Sequence, residues 1–362
     1  MVDLSAAREF RPVYHPAGFD VEVRIAWEDL QMGRWMSTRD LLARTGADWT
    51  LRTARTQVLA IAAAGSNVIS AWQSEEPESR NARVMGARVA VERAIRAHRR
   101  DADSAPRLEH EARRTAELAA DFLPADPVPF VCLLALARLD EQQQHPEHRL
   151  RAAEPMLPAG PWGLLQEVVD RDPFNREGFH RVLQFFLSRA GSPERSLAPA
   201  VEFARWVGSW APAGSALQLL PLYAQVEQHR RQTARSVAEC GRAAPLQHRQ
   251  WADDPVVRYT LRAFHDWFRT PAAAESPRSV TDLSQLAYAL WAAHRYVEAA
   301  EVFTALGPYA THEPWGSLIE PGHQDTAEES FLRARIQSLS AVSPLRTRAE
   351  SSRKSHAKPR LA

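Results

Sequence analysis

Lysine is almost missing from this chain. Only Lys354 and Lys358 occur, so arginine carries nearly all of the basic charge. Such a bias, with abundant alanine, follows from GC-rich codon usage, so an arginine cluster alone is no evidence of phosphate binding. Cysteine is as scarce: Cys132 and Cys240 lie far apart and make no disulfide framework, which points to a reducing cytoplasm. Long apolar runs are missing too. The longest nearly apolar stretch, VPFVCLLALA (Val128 to Ala137), is far too short to span a bilayer, and no membrane association is expected. The opening MVDLSAAREFRPVYHPAG has neither an apolar h-region nor a cleavage pattern, so no secretory leader is expected.

Strong net charge is a further absence. The 362 residues carry +1 overall, with no global attraction to nucleic acid or to a membrane surface. The distribution is uneven. From Ser343 to Ala362 six basic residues face one acid, so this tail carries +5 and the rest of the chain −4.

Catalytic signatures are missing as well. No GxSxG, P-loop or GxGxxG motif occurs in a fitting context. His110 and Glu111 open HEARR, but Arg114 stands where a zinc site needs its second histidine. His145 and His148 lie three apart in HPEH with no acidic or cysteine set to complete a tetrahedron, and read as surface histidines. Asp253-Asp254 is followed by PVVRYTLR, without the further carboxylate that a terpene-cyclase-like magnesium site requires. No metal and no cofactor is expected.

What the chain does contain is helical periodicity. In DRDPFNREGFHRVLQFF, Asp172 at an N-cap and Pro173 at N1 would open a helix. Its apolar stripe is Phe179, Val182, Leu183, Phe186 and Leu187. Glu177 and Arg181 form an i,i+4 pair on a face expected to be solvated, with Arg176 and His180. Asp126-Pro127 and Asp254-Pro255 repeat this start. Further helices are expected after Asp20, after Gly33 and after Asp48. Beyond Pro77 a long segment buries Val84, Ala87, Val91, Ala94 and Ile95. Others are expected at 106–122, 128–143, 162–170, 193–210, 215–231, 256–269, 283–293, 296–306 and 326–339, the last opened by an Asp325 and Glu328 capping pair. No convincing strand is found.

TDLSQLAYALWAAHRYVEAAEVFTALGP (Thr281 to Pro308) resembles a tetratricopeptide repeat. Leu283, Leu286, Ala287 and Leu290 match its first helix; Ala299, Phe303 and Leu306 match its second, with Pro308 near the terminator. VVDRDPFNREGFHRVLQFF resembles a repeat junction, and IAWEDLQMGRWMSTRDLLA a looser third copy. The resemblance implies an all-α array of stacked helical hairpins, an α-solenoid without significant sheet, that holds a protein or peptide in a concave groove. The expected organisation is an N-terminal extension (1–19), a helical array (20–140), a joint (141–161), a second array (162–342) and a disordered basic tail (343–362).

The expected function is a cytoplasmic, non-enzymatic scaffold or regulatory component that binds a protein or peptide. Trp206, Trp210, Tyr223, Glu227 and Arg230 are the candidate partner-binding residues, because aromatic residues and arginine make binding hot spots. Two rivals remain. One is an all-α enzyme with a pocket in the helical bundle. The other is a nucleic-acid-associated regulator using the basic tail or the helix bearing Arg80, Arg83, Arg88, Arg93, Arg96, Arg99 and Arg100, a charge run that more simply reads as a solvated face.

Overall fold

The computed structural model describes residues 10–190, 196–240, 251, 253–271, 278–316 and 326–355, with the side chains of all but 237–240 and 343–355. Among these residues every regular element is a helix. The only strand-like pairings are two isolated bridges, Val13 with Tyr309 and Leu150 with Gly160. The chain divides into two compact units. The first is Pro16–Ala211; the second combines Met1–His15 with Pro212–Ala362. The 141–161 stretch lies inside the first unit.

The first unit opens with α1 (Val21–Gln31), α2 (Met36–Thr45), α3 (Trp49–Ala63), α4 (Val68–Glu75) and α5 (Arg80–Arg99). Local chemistry sets these starts. The Asp20 carboxylate accepts the Val23 N–H, Asp48 accepts that of Leu51, and the Ser79 hydroxyl accepts that of Ala82. Each satisfies a backbone donor with no partner inside its helix. Gly33 at φ +77° and Gly46 at φ +55° supply the left-handed turns after α1 and α2. The short α4 has no counterpart among the expected helices. It forms because Val68, Ile69 and Trp72 share one buried face.

The unit continues with α6 (Ala105–Phe122), α7 (Val128–Ala137), α8 (Trp162–Val169), α9 (Arg176–Arg189) and α10 (Ala198–Trp210). The five residues expected to form the buried stripe of α5 are all buried. Helix α7 is apolar on every side, and it is the central helix, packed against α3, α5, α6, α8 and α9. It stops at Ala137, before the expected end at Gln143. A loop follows, with a 3₁₀ turn at Pro146–Arg149. Gly178 lets α9 approach α8: a Cβ there would lie 3.0 Å from Val168 Cγ1.

In the second unit a 3₁₀ turn (Ala216–Leu219) leads into α11 (Leu220–Cys240). Helix α12 (Asp254–Arg262) continues as a π-helical stretch, Ala263–Phe268. Then come α13 (Val280–Ala292), α14 (Tyr296–Leu306) and α15 (Ala327–Ser355). Helices α13 and α14 pack on each other and bury Leu283, Leu286, Leu290, Ala299, Phe303 and Leu306. Trp251, Trp315 and Phe331 complete that core. Helix α15 covers 343–355 of the expected tail, and 356–362 lie outside the described residues.

The three Asp-Pro starts do not share one local structure. At the second, Asp172 is not the cap. Asn175 takes that place, its Oδ1 accepting the Gly178 N–H at 2.9 Å, because 172–175 form a turn that delays the helix to Arg176. At the third, Asp253 sits at the N-cap without a side-chain cap bond, and Asp254 is the first helical residue. Asp126 meets a nearby backbone donor as expected, accepting the Val128 N–H at 2.9 Å, and Asp172, though not the cap of α9, still takes a backbone bond from Phe174. At α15 the capping box is Thr326 with Glu329, each bonding the other's backbone N–H; Asp325 lies outside the described residues.

Candidate functional site

The polar residues of α9 do not lie on a solvated face. Glu177 is 4% exposed, and its carboxylate takes a two-pronged bond from Arg88 on α5, at 2.8 Å and 2.7 Å. Arg181, one turn further along α9, adds a contact of 2.6 Å. The expected Glu177–Arg181 pair is therefore present, but as the edge of a buried triad. Arg88 also donates to the Thr56 hydroxyl and the Thr53 carbonyl on α3, each at 3.2 Å. Burial alone raises the Glu177 pKa. The two guanidinium charges and their hydrogen bonds outweigh it and hold the carboxyl below its ordinary range.

The seam continues on both sides. Arg52 on α3 bonds Asp126 at 2.7 Å, and both are buried. Asn175 donates to Thr53 Oγ1 and to Asp172 Oδ2, and Thr50 donates to the same Asp172 oxygen. Burial pushes the Asp172 pKa up, against those hydrogen bonds. The partners of Asp172 are thus the Asn175 amide, the Thr50 hydroxyl and the Phe174 backbone N–H. The nearby Cys132 thiol is pushed up to about 11 by burial, which leaves it protonated and unreactive at neutral pH. His180 is buried as well, and burial with Arg176 and Arg181 nearby keeps it neutral.

A second polar cluster corrects the reading of HPEH. His148 is fully buried, and its Nδ1 meets Asp140 Oδ2 at 2.7 Å. Asp140 also accepts the N–H groups of Gln144 and His145, while Arg189 donates to its carbonyl. Burial lowers the His148 pKa more than Asp140 raises it. The carboxyl of Asp140 stays below its ordinary range because those bonds outweigh its burial. The imidazole is therefore neutral, donates from Nδ1 and leaves a lone pair on Nε2. An acyl-transfer triad needs a hydroxyl or thiol on that nitrogen, and His148 Nε2 has no hydrogen-bond partner. The dyad closes the loop after α7. Among the described residues, no group of three His, Cys, Asp or Glu side chains is placed to hold a metal ion.

Four arginines of α5 are tied into the fold, while Arg80 and Arg99 are exposed. Arg88 is in the buried triad. Arg93 donates to the Ala64 and Ser66 carbonyls, Arg96 to Ile61 O and to Glu92, and Arg83 lies over the Phe122 ring. Several of these bonds satisfy carbonyls at the C-terminal end of α3.

The candidate partner-binding residues fall in both units. Trp206 and Trp210 share a face of α10, with ring centroids 5.4 Å apart, and extend an aromatic cluster through Phe179, Phe186, Phe203 and Trp162. Trp210 is exposed at its edge; Trp206 is half-buried. Tyr223, Glu227 and Arg230 lie on α11 in the second unit. The Tyr223 hydroxyl donates to Asp282 at 2.6 Å, and Glu227 receives Arg230 and Arg231 at 2.7 and 2.8 Å. Arg52–Asp126, Arg88–Glu177 and Asp140–His148 were not anticipated as pairs. Nothing local in the sequence marks partners 74 or 89 positions apart.

These features define an all-helical protein in which, among the described residues, Arg52–Asp126, Arg88–Glu177 and Asp140–His148 are buried polar pairs. No helix among the described residues is long and apolar enough to cross a membrane. Comparison of the chain with protein-family models, with curated proteins and with solved structures returns no match.

Proposed function

We propose that this chain is a non-enzymatic scaffold of stacked helical hairpins, of the tetratricopeptide kind, that binds a protein or peptide partner in the cytoplasm. The observation that carries the reading is an apolar strip on the first unit. Val21, Ile25 and Met32 follow one face of α1 and its C-cap, and Met36 opens α2. They are 63%, 55%, 67% and 47% exposed. Four large apolar side chains left in water within sixteen residues mark a surface that another protein covers. The mutual packing of α13 and α14, with the repeat-like positions buried, supports the hairpin architecture. The buried, protonated Cys132 fits a reducing compartment.

The test is affinity purification from the native cell with the wild-type chain and the double variant Ile25→Glu/Met32→Glu in parallel. A protein recovered with the wild type and depleted at least about tenfold with the variant is the expected result, since a charge in a desolvated contact costs more than 1.4 kcal/mol. Nuclease-sensitive material or a bound small molecule in place of a protein would overturn the reading.

A further inference from the structure

The second unit contains an extended segment that does not belong to it along the chain. Residues 10–15 are separated from Pro212 by the whole of the first unit, yet they pack on α14 and α15. The main chain pairs at a single residue. The Val13 N–H donates to Pro308 O at 2.8 Å, and the Ala310 N–H donates to Val13 O at 3.1 Å, a parallel bridge to Tyr309. Burial alternates along the segment: Phe10, Pro12 and Tyr14 are half-buried, while Arg11 and Val13 are exposed. Phe10 stacks on Phe331 with the Arg335 guanidinium 4.0 Å from its ring centroid. Tyr14 lies parallel to the His312 imidazole with centroids 4.4 Å apart. Alternate side chains seated in aromatic positions, with backbone pairing between them, is how an added strand is recognised in peptide complexes.

We propose that residues 308–312 and the first turns of α15 form a recognition site for an extended peptide of pattern aromatic-x-Pro-x-aromatic, and that Phe10–Tyr14 fills it in cis. The inference rests on the reading of the chain as a peptide-binding scaffold and names a site and ligand class for it. Several features make the segment a replaceable occupant. Its main chain is paired at one residue and its side-chain contacts come chiefly from Phe10 and Tyr14, whereas a helix of the core is held along its length. Beyond His15 the chain passes through Pro16 and through Gly18 at φ +51°, a bend that sets the segment apart from α1. The segment belongs to the same chain, so a partner's segment competes with an intramolecular occupant and wins when its affinity or concentration is high enough.

The experiment uses a fluorescent synthetic peptide with the sequence of residues 8–16 and the full-length chain. Anisotropy titration is run on the wild type and on Phe10→Ala/Tyr14→Ala, which weakens the cis occupant and leaves the site intact. The expected result is saturable binding to the variant, at least about tenfold tighter than to the wild type. A peptide with both aromatic residues replaced by alanine should not bind. Val13→Pro repeats the test if the double variant lacks a cooperative thermal transition, because this side chain is exposed and the change removes the donor to Pro308. Equal affinity for wild type and variant, or no binding to either folded variant, would overturn the site. A partner recovered by affinity purification would still stand in that case, so the loss of this site is distinguishable from the loss of the scaffold reading.

Discussion

Glu177 shows how a residue that a helical wheel places on the solvated face becomes a buried ion-pair partner. It has two arginine partners, and no water needs to reach it. Replacing it with alanine leaves Arg88 buried and unpaired, and the expected cost is about 3–5 kcal/mol in urea unfolding. The pair replacement Arg88→Met/Glu177→Leu should recover most of that loss, because apolar residues of similar volume suit such a position. The pH dependence follows the same logic. The Glu177 carboxyl is held below its ordinary value of 4.5, so its stabilisation is fully present above that pH and is lost as the pH falls through the folded value. Asp172 works in the opposite sense. Its pKa is raised above 3.8, so ionising it costs stability as the pH climbs from 3.8 through the folded value. Asp172→Asn should therefore leave the acid-limb stability unchanged and remove this penalty at neutral pH, with a net change within about 1 kcal/mol. Melting temperatures of the two proteins between pH 3 and 8 check the sign.

Among the elements, α7 and α3 make the sharpest contrast. Helix α7 has no polar face; beyond the Asp126 bond to its first N–H, packing holds it. Leu134→Ala should cost about 2–5 kcal/mol, the range for removing a large buried side chain. Helix α3 has an aspartate cap at an exposed end, and Asp48→Ala should cost about 1 kcal/mol. Denaturant midpoints for the two variants should keep that order. The contrast also explains what was legible in the sequence. Starts set by one aspartate and the next three residues, as in α1 and α3, were readable because the donors and acceptor are neighbours, whereas α5, expected from Pro77, begins at Arg80 behind the Ser79 cap. The start of α9 was misplaced because Asp172 and Asn175 both offer a cap, and the choice between them is made by Thr50 and Thr53 on another helix. Helix α4 went unseen because its eight residues span little more than two turns, too few for a period to emerge.

For the whole molecule, the extended segment at 10–15 is the feature that chain order hides. Deleting residues 1–15 should speed amide exchange at Ala310, whose N–H loses its acceptor, and at the C-terminal turn of α14. Protection in α3, α5 and α9 should not change, since the deleted residues belong to the other compact unit. Hydrogen-exchange mass spectrometry checks both statements in one sample. The all-helical class of the molecule was legible at once, because period-3.6 stripes recur along the chain and period-2 patterns do not. The candidate residues Trp206, Trp210, Tyr223, Glu227 and Arg230 were chosen by residue type, and residue type carries no information on which compact unit a helix joins.

The amino-acid order by itself determined where most helices begin and which face of each is apolar, since capping and amphipathic spacing act over four or five residues. Only the tertiary structure decided which charges lie inside and which partners they have. Arg88 and Glu177 sit 89 positions apart, and Arg52 and Asp126 sit 74 apart. A carboxylate in such a pair looks the same in sequence as one in water. Its burial is set by how α3, α5 and α9 pack, and a charge can be buried there only because the opposite charge arrives with the neighbouring helix.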